Sequence, residues 1–214
     1  MDKRFRQSAG LMLCLGSALG TLAMVLHPVG GSMQHIINIQ PIIVFSHSLA
    51  IFCLPIMGFG AWGLSVLLQT PSRIALLPFF VFCAGLIAAM LAGTINGLVF
   101  PYYVERYFNA DVSKDIVNAS LNYGRYLNAA LDYIFIAACA FAVGGWSVMI
   151  LVTRRLPQWL GYYGGGIIAV GMVGVVTGFN FISVSGFTIF VLGLVSWLVL
   201  AGVLMWRSQN TKNR

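Results

Sequence analysis

Apolar residues run along this chain in long unbroken stretches, punctuated by short polar or proline- and glycine-containing breaks, and they do not alternate with polar ones. Stretches of about twenty apolar residues match the thickness of a bilayer crossed by an α-helix, whereas a strand crossing would show period-two alternation. Read this way, the sequence predicts six spans over about 8–27, 41–68, 75–100, 121–152, 159–181 and 186–206. Pro28 with the glycines after it stops the first span, Pro71 separates the second from the third, Pro101 closes the third and Pro157 opens the fifth. The single long connection, residues 101–120, is expected to be a loop. There Tyr102, Tyr103, Tyr107 and Phe108 beside Glu105 and Arg106 have the composition of an interfacial anchor.

Composition agrees with the pattern. Of 214 residues, 59% are hydrophobic and only 8% charged, and the mean hydropathy is +0.90; a soluble domain carries about a quarter charged residues. Hydrocarbon offers the backbone no hydrogen-bond partner, so the expected fold is all-α, a polytopic integral membrane protein forming one bundle of six transmembrane helices. The basic start and the apolar stretch 11–26 imitate a secretory signal, but Leu26-His27-Pro28-Val29-Gly30-Gly31 offers no small-x-small cleavage site. The stretch is therefore read as the first span.

The net charge of +7 is a topology signal rather than a nucleic-acid footprint, because the basic residues sit at span ends and in short tails. With the N-terminus inside, nine of the twelve lysines and arginines fall on the cytoplasmic side: Lys3, Arg4, Arg6, Arg73, Arg154, Arg155, Arg207, Lys212 and Arg214. Arg106, Lys114 and Arg125 fall outside. Short loops with this bias give an N-in, C-in orientation. Cys14, Cys53, Cys83 and Cys139 lie singly in apolar runs, without the spacing of a redox or metal pair. Gly16 and Gly20, Gly161 and Gly165, and Gly174 and Gly178 are spaced four apart, a spacing that lets helices pack closely, and they nominate the first and fifth spans as central.

Alternating span directions collect the strongly polar residues in the outer half: His27, His47, Thr94, Asn96, Asn122, Arg125, Asn128, Asp132, Thr177, Asn180 and Ser185. Within the fourth span, Asn118, Asn122, Arg125, Asn128 and Asp132 recur at helical spacing and share one face. Asn118-Ala119-Ser120 also has the form of a glycosylation sequon. On this reading Asp132 lies near mid-membrane, where an ionised carboxylate needs a partner or a proton. Arg125, two turns above, is the candidate partner.

Three roles fit the stripe: the wall of a pocket open to the outside, a structural hydrogen-bond seam between helices, or a contact for another membrane subunit or a second copy of the chain. The pocket reading uses Asp132, Arg125, Asn128, Asn122, Asn96 and Asn180 to hold a small polar ligand or ion. His27 and His47 add a metal alternative: with Asp132 they supply three ligands for a divalent ion with one position open, and an intramembrane metal-dependent hydrolase would use such a set. As facing axial ligands the same two histidines would instead hold haem b. No Gly-x-Ser-x-Gly or Gly-x-x-x-x-Gly-Lys motif occurs and no Gly-x-Gly-x-x-Gly stands at a strand-to-helix turn, so no catalytic residue is assigned.

Four segments carry a resemblance: His27-Pro28-Val29-Gly30, Ser46-His47-Ser48-Leu49-Ala50, Trp159 to Tyr163, and the final span from Gly186-Phe187 to Trp206-Arg207. In these the chain resembles a group of small six-helix bacterial membrane proteins to which no activity is attached. The resemblance implies a bacterial cytoplasmic (inner) membrane location and covers most of the chain. This sequence departs from the group in having Val29 where threonine is usual and no histidine near Ser185, which puts a shared metal site in doubt.

Overall fold

A computed structural model describes residues 1–28, 30–70, 73–108 and 110–207. Val29 of the His-Pro-x-Gly segment, the predicted break at Pro71, and Lys212 and Arg214 lie outside the described residues. Helix accounts for 86% of the structure and strands are absent among the described residues. The chain forms α1 (Lys3–Val25), α2 (Met33–Asn38), α3 (Gln40–Leu68), α4 (Leu76–Gly93), a π-helical turn (Thr94–Val99), α5 (Phe100–Phe108), α6 (Lys114–Thr153), α7 (Gln158–Val176) and α8 (Val184–Arg207). Six helical stretches are long and apolar enough to cross a membrane, with α4, the π turn and α5 counted as one. The protein is a multi-pass helical membrane protein.

Close backbone approach explains which helices form the centre. A methyl group at Gly16 would meet the Met57 backbone nitrogen at 2.8 Å, and one at Gly60 would meet the Leu13 nitrogen at 2.6 Å, so α1 and α3 touch almost backbone to backbone. The expectation that α7 shares this central position fails. Only Leu160, Gly161 and Gly164 of α7 are buried, and Gly165 and Gly178 face open space. A deep core joins α3, α4, α6 and α8 around Trp146, Trp197 and Phe82, all fully buried. Trp146 stacks on Trp197 with centroids 6.0 Å apart and planes 9° apart, and its indole N–H donates to Ser65 Oγ at 2.7 Å. The outward residues are large and apolar, such as Phe45, Phe52 and Phe80, each more than 60% exposed. Lipid covers such a face at no cost.

The long connection departs most from expectation. Residues 101–120 are not a loop: α5 carries the third span straight on to Phe108, and α6 begins at Lys114. Pro101 does not end the helix because the π turn before it already interrupts the i to i−4 ladder, with the Phe100 N–H bonded to the Ile95 carbonyl. Proline's missing donor therefore breaks nothing further. Tyr103 and Tyr107 turn inward, with ring centroids 4.7 Å apart, and join a small second core of Ile36, Ile43, Val104, Val117 and Leu121. Of the four predicted anchor aromatics, Tyr102 and Phe108 are the exposed ones. A hydrogen bond of 2.9 Å from Gln40 Nε2 to Glu105 Oε2 fastens α5 to the start of α3. This cap of α2, α5 and the first turns of α6 stands on one end of the bundle.

Candidate functional site

The helix lengths relocate the polar layer. At about 1.5 Å per residue, the 40 residues of α6 reach roughly 60 Å, twice a hydrocarbon core of about 30 Å. Residues 133–152 supply the uninterrupted apolar stretch that such a core requires. Asp132 therefore stands at the end of the apolar segment rather than at its middle. His27 follows residues 8–26, His47 precedes 49–68 and Asn96 follows 76–95, each stretch again about twenty residues. The four polar residues thus share one boundary level. Tyr123, Tyr126 and Tyr133, all exposed on α6 near this level, suit an interfacial belt.

The stripe on α6 divides into two pairs. Asn128 Nδ2 donates to Asp132 Oδ2 at 2.7 Å, and Arg125 Nη1 donates to Asn122 Oδ1 at 3.3 Å. The expected pairing of Arg125 with Asp132 does not form. Seven residues separate them, about 10 Å along the axis, while each has a partner three or four residues away on the same face. The second acceptor of the lower pair, Asn128 Oδ1, is buried without a hydrogen-bond partner among the described residues.

The upper pair lines a cleft. Gly31, Ser32, Met33, Ile36, Phe100, Asn118, Leu121, Asn122 and Arg125 enclose a volume of about 410 Å³ between the cap and the first turns of α6. Its polar chemistry is dominated by donors. A guanidinium donates only, so its bond to Asn122 fixes that amide with oxygen toward Arg125 and leaves Nδ2 free. Asn118 adds a second amide and Ser32 a hydroxyl, whose oxygen also accepts the His35 N–H at 3.3 Å. Among the described residues Arg125 is the only charged side chain on the lining, and none of them contributes a carboxylate. Sequence reasoning missed the α2 side of the cleft; Ser32, three residues before His35 at a helix start, is the signal that was there to read.

Several predicted members stand elsewhere. Asn180 belongs to the turn between α7 and α8, where its Oδ1 accepts the N–H groups of Ile182 at 3.1 Å and Ser183 at 3.2 Å. It is a turn residue, and the cleft does not include it. Asn96 rides on the π turn, part-buried, and does not line the cleft. Thr94 and Thr177 bond back to carbonyls of their own helices, at Met90 and Val173.

His27 and His47 do meet: their ring centroids are 4.8 Å apart, with planes tilted by 52°. His47 is buried while His27 is open to the outside of the bundle. Asp132 does not join them as a third ligand, and no group of three His, Cys, Asp or Glu residues is placed to hold a metal ion among the described residues. The two rings are not spaced as facing haem ligands. With metal–nitrogen bonds of about 2 Å, two imidazoles on opposite faces of an iron have centroids about 6 Å apart, and 4.8 Å leaves no room for a porphyrin between them. Gly97 is what admits His47 here, because a methyl group at that position would overlap His47 Cβ and Cγ.

No family model, curated protein or solved structure matches the chain. The site's own chemistry is therefore the ground for a function.

Proposed function

We propose that this chain is a bacterial inner-membrane protein, N-in and C-in, that binds a small anion in the cleft between its outer cap and α6. The observation that carries the reading is the lining itself: Arg125, Asn118, Asn122 and Ser32 converge on one space with no carboxylate among them. Arg125 is held by an amide rather than neutralised by an acid, so its charge and most of its five N–H donors remain for a ligand. A guanidinium with flanking amides suits a carboxylate or a phosphate. Each water takes about 30 Å³ of liquid volume, so a cleft of about 410 Å³ admits a ligand of about a dozen heavy atoms. Orientation rests on the nine-to-three distribution of basic residues, and the bacterial location on the resemblance of its four short segments. In this reading Asp132 and Asn128 support α6 below the cleft and do not contact the ligand.

The test is a thermal-unfolding titration of the full chain in mild detergent with inorganic phosphate and, separately, with succinate. At least one anion raises the midpoint in a saturable way, and Arg125→Gln lowers its affinity tenfold or more, since a charge-assisted hydrogen bond contributes about 1.5–3 kcal/mol. Equal responses from wild type and variant, or no response to either anion, overturn the proposal.

A second reading, that the chain is an accessory subunit of a larger membrane complex, draws on α7, whose Gly165, Gly166 and Gly171 have open space where a neighbouring helix would pack. A stoichiometric partner recovered in gentle detergent, and lost on Gly166→Leu, favours it.

A further inference from the structure

We infer that His27 and His47 form a two-histidine site for a divalent late first-row transition-metal ion such as Zn²⁺, whose remaining positions are taken by water or an external ligand. The site is separate from the anion cleft and does not rest on that reading. His47 Nδ1 lies 2.8 Å from the Ile43 carbonyl, and a carbonyl only accepts, so Nδ1 carries the hydrogen. Ser46 Oγ, 3.4 Å away, is already committed as a donor to the same Ile43 carbonyl. In the neutral ring the lone pair is therefore on Nε2.

His47 thus spends one nitrogen on a main-chain carbonyl and presents the other as a lone pair. This is the outer-sphere arrangement that orients histidine toward a metal. The neutral His27 ring, packed beside it, also keeps one nitrogen lone pair, and two lone pairs cannot hydrogen bond to each other. A cation satisfies both.

The spacing fits adjacent ligation. With metal–nitrogen bonds of about 2 Å and the angle of roughly 90–109° between neighbouring ligands, ring centroids fall about 4.5–5.2 Å apart; the observed 4.8 Å lies inside that interval. Placement fits as well. The pair sits where the apolar spans end, with His47 buried against Gly97 of the π turn and His27 exposed at the mouth, so an ion has a way in. π turns inside long helices recur at functional sites. Because no third His, Cys, Asp or Glu completes the set among the described residues, the site is open, and imidazole ligands select Zn²⁺, Cu²⁺, Ni²⁺ or Co²⁺ over Ca²⁺ and Mg²⁺.

The experiment uses the full chain in mild detergent, purified through a tag without histidine, treated with chelator and then titrated with Co²⁺. Binding is followed by the visible absorption of imidazole-bound cobalt, and Zn²⁺ is then added as competitor. The expected result is one Co²⁺ per chain, displaced by Zn²⁺ and unaffected by a large excess of Mg²⁺. His27→Ala, at an exposed position where folding is not at stake, lowers the affinity at least tenfold. His35→Ala, on exposed α2, leaves it unchanged. His47→Gln repeats the loss if that variant remains monodisperse; His27→Ala decides the matter on its own. Absence of the cobalt spectrum, or equal binding by wild type and His27→Ala, overturns the inference.

Discussion

Gly97→Ala probes the contact between the π turn and α3. A methyl group there overlaps His47 Cβ and Cγ and lies 2.9 Å from Cδ2. The obstructing atoms are at the root of the His47 side chain, so no rotamer change removes them; α3 and the π turn must separate. Inserting a carbon into a packed contact of this kind costs about 1–3 kcal/mol, and the intrinsic preference of a helix for alanine over glycine returns at most about 1 kcal/mol. The net expectation is a loss of about 1–2 kcal/mol. Gly93→Ala, four residues earlier on the same span, is the control. Its added methyl meets only Ile51, with Cγ1 at 3.4 Å and Cδ1 at 3.7 Å, ordinary contacts, so it keeps the propensity gain and is neutral or slightly stabilising. Reversible unfolding in mixed dodecylmaltoside and dodecylsulfate micelles, followed by far-UV circular dichroism, compares the two. A Gly97→Ala variant as stable as Gly93→Ala would refute the close packing of α3 on the π turn, and with it the placement of His47.

Two further substitutions separate supporting residues from binding ones. Asp132→Asn keeps an acceptor for Asn128 Nδ2 and removes a carboxylate from the end of an apolar span, so expression and thermal midpoint in detergent stay level or rise, and anion affinity at the cleft changes less than twofold; a tenfold loss of affinity would move Asp132 into the site. Ser65→Ala strips the acceptor from the buried Trp146 N–H and lowers stability by about 1–3 kcal/mol in the same micelle assay, whereas an unchanged stability would show that the Trp146 indole has another partner.

The spans were legible because lipid reduces folding to one demand, that backbone polar groups be satisfied within each segment, and about twenty apolar residues answer it directly. The stripe of Asn118, Asn122, Arg125, Asn128 and Asp132 was legible for the same reason, since 3.6-residue periodicity is local. What was hidden depended on registration between helices. That Asn128 rather than Arg125 holds Asp132 follows from reach along one helix and was open to arithmetic. That Asn180 serves its own turn, and that Ser32 lines the cleft, required the third dimension. The loop expected at 101–120 failed because Pro101 was weighed as a stop without the π turn that accommodates it. Glycine pairs misled at α7, since small residues permit close packing without requiring it: Gly16 meets Met57, but Gly165 meets nothing.

The central claim, a polar cleft open to the outer side of a six-span bundle, is tested most directly by cysteine labelling in intact cells. Cys14, Cys53, Cys83 and Cys139 are first replaced by alanine; Asn122→Cys and Arg154→Cys are then made separately and exposed to a membrane-impermeant maleimide before and after permeabilisation. The account predicts that the cysteine at position 122 reacts in intact cells and that the one at position 154 reacts only once the membrane is opened. The reverse order, or a position 122 that stays unreactive under both conditions, would contradict it.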